Sequence, residues 1–266
     1  MPRDERPVRR GMRTSDGVNL SVVEFAAPNA RRDLTIALIP GWCMPAAIWA
    51  EQIAAFGRHY HTIALDPRGQ GESEVPQDGY NFARRAADVH EFLAPYRNVL
   101  LVGWSLGALE ALKYAHQYGE DKLACLALID SSVGEMPVPP PGSGFLDALR
   151  EDRDKALDEF VRAMYARPRT EDEYAALLKD IKRMPLESSI ALLSSGIARE
   201  HWRAIAHAFA KPLLYVVTPQ FAEQAANLKK NRPGTRVELF EEAGHALFAD
   251  EPERFNALLM AFAASV

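Results

Sequence analysis

Gly103-Trp104-Ser105-Leu106-Gly107 sets a serine between two glycines, at the end of an apolar run and directly before a helical pattern. A hydroxyl in that context is a candidate nucleophile. A sharp strand-to-helix turn holds the serine in a strained backbone conformation, and the small flanking residues let neighbouring chain pass close to it. Because the helix begins at once, the Leu106 amide and the positive end of the helix dipole point to where an oxyanion would form. A serine hydroxyl is a weak nucleophile until a base takes its proton. Glu242-Ala243-Gly244-His245 offers that base between the last expected strand and the last expected helix, where His245 can hang over the C-terminal edge of a sheet. The other histidines are weaker candidates: His59, His61, His90 and His116 fall on helix or strand-entry positions, and His201 and His207 lie in an inserted region.

The elements that must position these residues alternate. Leu34–Pro40, His61–Asp66, Asn98–Trp104, Leu123–Asp130, Pro212–Val217 and Arg236–Phe240 read as strands, most of them apolar on consecutive positions. Such runs suit strands buried on both faces of a parallel sheet. Helical patterns cover Ala47–Phe56, Phe82–Leu93, Leu106–Tyr118, Ala222–Asn231 and Pro252–Ala264. The alternation predicts an α/β fold with a mostly parallel, doubly wound sheet and helices on both faces. Upstream, Met12–Thr14 and Leu20–Ala27 flank the turn Ser15-Asp16-Gly17 and predict an antiparallel edge hairpin.

The rhythm breaks after Asp130. A proline- and glycine-rich linker, 136–144, opens an insertion of about eighty residues before the next strand. Leu146, Leu149, Leu157, Phe160, Val161 and Met164 fall near helical spacing, as do Tyr174, Leu177, Leu178 and Ile181. The expected organisation is a core of residues 1–130 and 211–266 with a helical cap of residues 131–210.

A net charge of −5 provides no general attraction to nucleic acid or to an anionic membrane. Arg3, Arg6, Arg9, Arg10 and Arg13 make the first residues locally basic, and they read as a solvated tail. No apolar run approaches the ~18 residues of a membrane span, and no secretory signal is visible, so a cytoplasmic protein is expected. Cys43 and Cys125 sit in a loop and in an apolar strand, which argues against a disulfide. No metal and no cofactor is expected, since the histidines and cysteines lack ligand spacing.

With GWSLG at Ser105, AGH at His245 and this element order, the chain resembles the α/β-hydrolase family over most of its length. Asp66-Pro67-Arg68-Gly69-Gln70-Gly71-Glu72-Ser73 is similar to that family's D-x-R-G-x-G-x-S turn and is read as structural, with Asp66 and Arg68 paired near the site. Pro40-Gly41-Trp42 stands where the family usually has His-Gly-x, so the resemblance implies Trp42 N–H and Leu106 N–H as oxyanion donors, each worth roughly 3 kcal/mol. Pro40 removes a common loop-bracing side chain. Trp42 and Trp104 either wall an acyl pocket or pack in the core. Cys43 is read as a pocket-lining thiol and Asp250 as an N-cap for the helix at Pro252.

The family usually carries an acid after the strand that here reads PLLYVV, but Thr218-Pro219-Gln220-Phe221-Ala222-Glu223 contains no aspartate. Asp130, at the end of the preceding strand, is the other place from which some members supply it. Asp130 is preferred to Glu223 as the residue that orients His245. The segments Pro40–Trp49, GWSLG and the late cap stretch Leu192–Gly196 are similar to pimeloyl-acyl-carrier-protein methyl ester esterases. That likeness implies a small-molecule ester substrate, carried on acyl carrier protein, with Arg150, Arg153, Arg162, Lys179, Lys182 and Arg183 as partner contacts. Residues 144–206 hold eleven Lys/Arg against twelve Asp/Glu, which favours a solvated surface instead. Serine carboxylesterase chemistry is the expectation. Thioester or C–C bond hydrolysis on the same residues, and a non-catalytic ligand-binding protein, are the alternatives. A serine at the elbow disfavours dehalogenation, which needs a carboxylate nucleophile.

Overall fold

The computed structural model describes residues 6–139, 144–194 and 196–266. Its strands are β1 (Val8–Arg13), β2 (Asn19–Phe25), β3 (Arg31–Ile39), β4 (Tyr60–Asp66), β5 (Val99–Trp104), β6 (Leu123–Ile129), β7 (Leu213–Val217) and β8 (Thr235–Leu239). They form one sheet in the order β1-β2-β4-β3-β5-β6-β7-β8. β1 and β2 pair antiparallel, as do β2 and β4, and every later neighbour is parallel. Every residue of β4, β5 and β7 is buried, which is why these strands read as unbroken apolar runs. The fold is that of the α/β hydrolases.

The helices are α1 (Ala50–Phe56), α2 (Phe82–Phe92), α3 (Leu106–Tyr118), α4 (Phe145–Glu151), α5 (Arg153–Ala163), α6 (Glu171–Ile181), α7 (Leu186–Leu193), α8 (Arg199–Ala208), α9 (Ala222–Asn231), α10 (Leu247–Asp250) and α11 (Pro252–Ala263). Their starts follow local chemistry. The Asn81 side chain accepts from Arg84 N to cap α2, and Thr170 with Glu173 forms a reciprocal capping box on α6. Five helices, α4 to α8, lie between β6 and β7. The helical spacing across 146–164 is broken at Asp152, whose side chain accepts from Lys155 N and starts α5, so one expected helix becomes two. Part of the expected 136–144 linker, and Ser195, lie outside the described residues.

Two expectations are corrected. The basic start is not simply a solvated tail: Val8–Arg13 extends the edge hairpin, Arg9 pairs with the buried Asp66 at 2.6 Å, and Arg10 reaches Glu24 at 2.8 Å. Arg3 lies outside the described residues. Asp66 and Arg68 do not pair with each other. Asp66 takes Arg9 and the amides of Ala46 and Glu72, while Arg68 is held by Asp88 at 2.6 Å and Asp16 at 3.0 Å. Both side chains are buried, and each charge has a partner from a distant part of the chain that the motif alone could not reveal. Gly71 makes the room: a Cβ there would stand 1.9 Å from Asp66 Oδ1.

Beneath the C-terminal edge of the sheet lies an aromatic cluster. Trp49 packs on Phe248 with ring centroids 4.0 Å apart, and Trp104 meets Phe248 edge-on at 5.0 Å. Cys43 and Cys125 are both free and buried, and burial pushes each thiol up to about 12. Thiolate is the reactive form, so it is scarce in the native state until the pH nears 12. At pH 8 both cysteines are expected to resist Ellman's reagent in the folded protein and to react in 6 M guanidinium, as followed by absorbance. Rapid labelling of either in the native state would contradict this packing.

Candidate active site

Ser105 joins β5 to α3 with φ 55° and ψ −120°, a left-handed conformation that is costly for a residue with a Cβ. Its amide donates to Ile129 O at 2.9 Å, which fastens the turn to β6. Close packing sets the neighbours: a Cβ at Gly103 would lie 2.3 Å from Gly107 O, and one at Gly107 would lie 2.5 Å from Pro40 O. The start of α3 is therefore pressed against the end of β3. A Cβ on Gly41 would stand 3.2 Å from Ser105 Cβ, so the loop after β3 runs beside the serine. Among the described residues, neither the Trp42 nor the Leu106 amide donates a hydrogen bond within the protein.

His245 lies in the loop between β8 and α10. Its Nδ1 is 2.7 Å from Asp130 Oδ2. The indole N–H of Trp104, the residue before the serine, donates to His245 O at 2.9 Å, and the two rings pack with centroids 5.1 Å apart. One side chain thus ties the serine turn to the histidine loop. Of the other six histidines, His61 pairs with Glu24, His207 with Glu135, His116 lies against His201, His90 stacks on Tyr118 with ring centroids 4.1 Å apart, and His59 is exposed.

Asp130 follows β6 with φ 42° and is fully buried. Oδ1 accepts from Thr218 N at 2.7 Å and Thr218 Oγ1 at 2.9 Å, and Oδ2 accepts from Gln220 Nε2 at 2.8 Å besides facing His245. All four acceptor positions of the carboxylate are in use, so its contact with the ring orients Nδ1–H toward Oδ2. The Tyr215 phenol, pushed well up by burial and then by the Asp130 charge, stays protonated and donates to Ser131 O at 2.6 Å, bracing the turn. Glu223 is exposed in the first turn of α9. Sequence reading missed Thr218 and Gln220. Their signal was the donor-rich stretch in the place where an acid was sought.

Trp42 is packed in the core, as one of its two readings expected. Its indole donates to Ser189 O at 2.7 Å and its ring meets Phe145 and Phe160 edge-on, each at 5.5 Å, so it links the loop after β3 to α4, α5 and α7. Cys43 is buried beside Met184, Sγ to Sδ 3.8 Å. Asp250 is not an N-cap. Glu251 precedes α11, and the Asp250 carboxylate accepts from Gly244 N and Ala166 N, both at 2.8 Å, clamping the histidine loop to the segment after α5. A cavity of about 300 Å³ opens between Pro45–Gln52 and α6, lined by Ile48, Tyr165, Tyr174 and Leu177; Ser105 and His245 do not line it.

Several basic side chains of the inserted helices are already neutralised. Arg162 meets Asp158 at 2.9 Å and Glu171 at 2.6 Å, Lys182 meets Asp154 at 2.9 Å, and Arg150 meets Asp147 at 3.3 Å. Arg153 and Arg183 donate to main-chain carbonyls. Among the described residues no helix is long and apolar enough to cross a membrane, and no cluster of His, Cys, Asp and Glu is arranged to hold a metal ion.

Comparison with known proteins agrees with this architecture. A pimeloyl-[acyl-carrier protein] methyl ester esterase of Yersinia enterocolitica is 24% identical, over 87% of this chain and 93% of the relative. An AB hydrolase superfamily protein of Bacillus subtilis, YisY, is 25% identical over 86% and 91%. The solved structure of an esterase from Exiguobacterium antarcticum superposes with a TM-score of 0.84 at 22% identity, covering 96% of this chain and 98% of that one. Residues 36–258 match the family described as Alpha/beta hydrolase family, and the chain belongs to it.

Proposed function

We propose that the protein is a serine carboxylic ester hydrolase that works through an acyl-enzyme on Ser105. The observation that carries this reading is the 2.7 Å contact between His245 Nδ1 and a fully satisfied Asp130, on the ring whose other face packs against the residue next to Ser105. A carboxylate at Nδ1 selects the tautomer that leaves Nε2 free to take a proton. Ser105 Oγ attacks the ester carbonyl as its proton passes to His245 Nε2. The oxyanion is met by the Trp42 and Leu106 amides. Collapse of the tetrahedral adduct returns the proton from Nε2 to the departing alkoxide and leaves an acyl-serine. Water, deprotonated by the same nitrogen, then releases the acid and restores Ser105.

For the substrate we infer a small ester, with methyl esters as the first class to try, because a relative over most of this chain is a methyl ester esterase. The self-neutralised charges on α4 to α6 favour a free small molecule over one delivered by an acidic carrier protein. A cytoplasmic setting fits two buried thiols that form no disulfide.

The purified protein is expected to hydrolyse short p-nitrophenyl and methyl esters, and Ser105→Ala to abolish both this activity and labelling by a fluorophosphonate probe. Failure of the wild type to take up the probe would remove the serine hydrolase reading. Asp130→Asn should lower kcat by about 10⁴-fold, because an amide donating to the ring fixes the wrong tautomer. Glu223→Gln should stay within about 2-fold of wild type, since substitutions on an exposed helix face change little. A crippled Glu223→Gln beside an active Asp130→Asn would reverse the assignment of the acid. A panel pairing each oxyester with its thioester decides the bond, with the higher kcat/KM expected for the oxyester.

A further inference from the structure

Gln70 is fully buried behind the loop that carries Trp42, and every polar atom of its side chain is engaged. Nε2 donates to Gly41 O at 3.1 Å and to Met44 O at 2.7 Å, while Oε1 accepts from Arg85 Nη2 at 2.9 Å. A guanidinium has only donors, so the amide oxygen must face Arg85 and both amide protons are committed to the two carbonyls. Arg85 is itself immobilised. Its Nε donates to Glu110 at 2.7 Å and its Nη1 to Arg68 O at 3.2 Å. Glu110 stands on α3, the helix whose first residue is Leu106. A buried chain, Glu110–Arg85–Gln70, therefore connects the helix bearing one free amide to the loop bearing the other.

Gly41 C=O and Trp42 N–H belong to one planar trans peptide and point in opposite directions. Gly41 O accepts from Gln70 and also from Met44 N at 3.2 Å, which fixes the plane of that peptide and leaves Trp42 N–H facing away from the relay. Donation to the carbonyl also polarises the same peptide's N–H. Pro40, immediately before, has no side-chain donor with which to hold this loop.

We propose that Gln70 is a positioning residue that aims and polarises the Trp42 amide as an oxyanion donor, through its bond to Gly41 O and under the control of Arg85 and Glu110. The inference rests on the reading of Ser105 as an ester-attacking nucleophile with Trp42 and Leu106 as oxyanion donors. It assigns to the D-x-R-G-x-G-x-S turn a part in the reaction beyond its structural one.

Gln70→Met keeps the length of the side chain without its hydrogen bonds, and Gln70→Glu keeps the contact with Arg85 but turns an acceptor toward two carbonyls. For each, kcat and KM on a p-nitrophenyl ester and Ki for a trifluoromethyl ketone, which forms a tetrahedral adduct with a serine, are measured on protein checked for folding by circular dichroism. Either variant suffices if the other does not fold. The expected result is a fall in kcat of about 10- to 100-fold with KM within about 2-fold, matched by an equal weakening of the ketone. In the wild type both the Trp42 and Leu106 amide protons should shift on ketone binding, and in the variant the Trp42 shift should shrink while that of Leu106 persists. Unchanged kcat and Ki in a folded variant, or a loss confined to melting temperature, overturns the relay and leaves the hydrolase standing. A wild type that hydrolyses no ester and binds no ketone overturns both.

Discussion

The buried carboxylate of Asp130 is the constraint around which the C-terminal edge of the sheet is arranged. A carboxylate withdrawn from water needs a donor at each lone pair, because an unsatisfied buried acceptor costs about 1–3 kcal/mol, and more when it is charged. Asp130 leaves β6, and the donors come from two different segments beyond it: Thr218 and Gln220 after β7, and His245 after β8. This requires β6, β7 and β8 to be adjacent and parallel, with their C-terminal ends together. A carboxylate at the end of β6 thus sets what the loop after β7 must contain. That loop supplies hydrogen-bond donors, from Thr218 and Gln220, to the Asp130 carboxylate.

On the other side of Ser105 the constraint is steric. Gly107 is pressed on Pro40 O and Gly103 on Gly107 O, so the beginning of α3 and the end of β3 cannot separate without opening the elbow. Trp104 joins the two sides, its backbone in β5 and its indole bonded to the histidine loop, over a floor made by Trp49 and Phe248. Ser105, His245 and Asp130 are thereby fixed by different forces: the serine by close backbone contact, the histidine by aromatic packing and hydrogen bonds, and the aspartate by complete polar satisfaction.

Much of this was legible in the sequence because it is local. Runs buried on both faces marked β4 to β7, and apolar or β-rich runs marked β3 and the partly exposed β8, to within a few residues, and Leu106–Tyr118 and Ala222–Asn231 were read at their true limits, since turn residues and strand ends bound them. What escaped reading depends on contacts between distant segments. β1 carries Arg9, Arg10 and Arg13 on a largely exposed strand and looks like a tail until Asp66 is seen to need Arg9. Asp66 and Arg68 are close in sequence but find their partners on other elements. Asp152 ends one helical register and begins the next by a cap that hydrophobic spacing does not register.

Asp250 shows how such a contact changes the meaning of a region. Five residues after the histidine and two before a proline, it has the local marks of a helix cap, but its carboxylate accepts from Gly244 N and Ala166 N and is approached by Arg169 at 3.6 Å. Ala246 N reaches Met164 O at 2.8 Å, and a Cβ on Gly244 would fall 2.6 Å from the same carbonyl. The segment after α5 and the histidine loop therefore share hydrogen bonds on both sides of His245. Trp42 makes the corresponding tie at the loop after β3, bonded to Ser189 and packed on Phe145 and Phe160. The inserted helices are thus fastened to the loops on both sides of the serine, so a displacement of α4 to α7 would be felt at His245 and at the loop after β3 together.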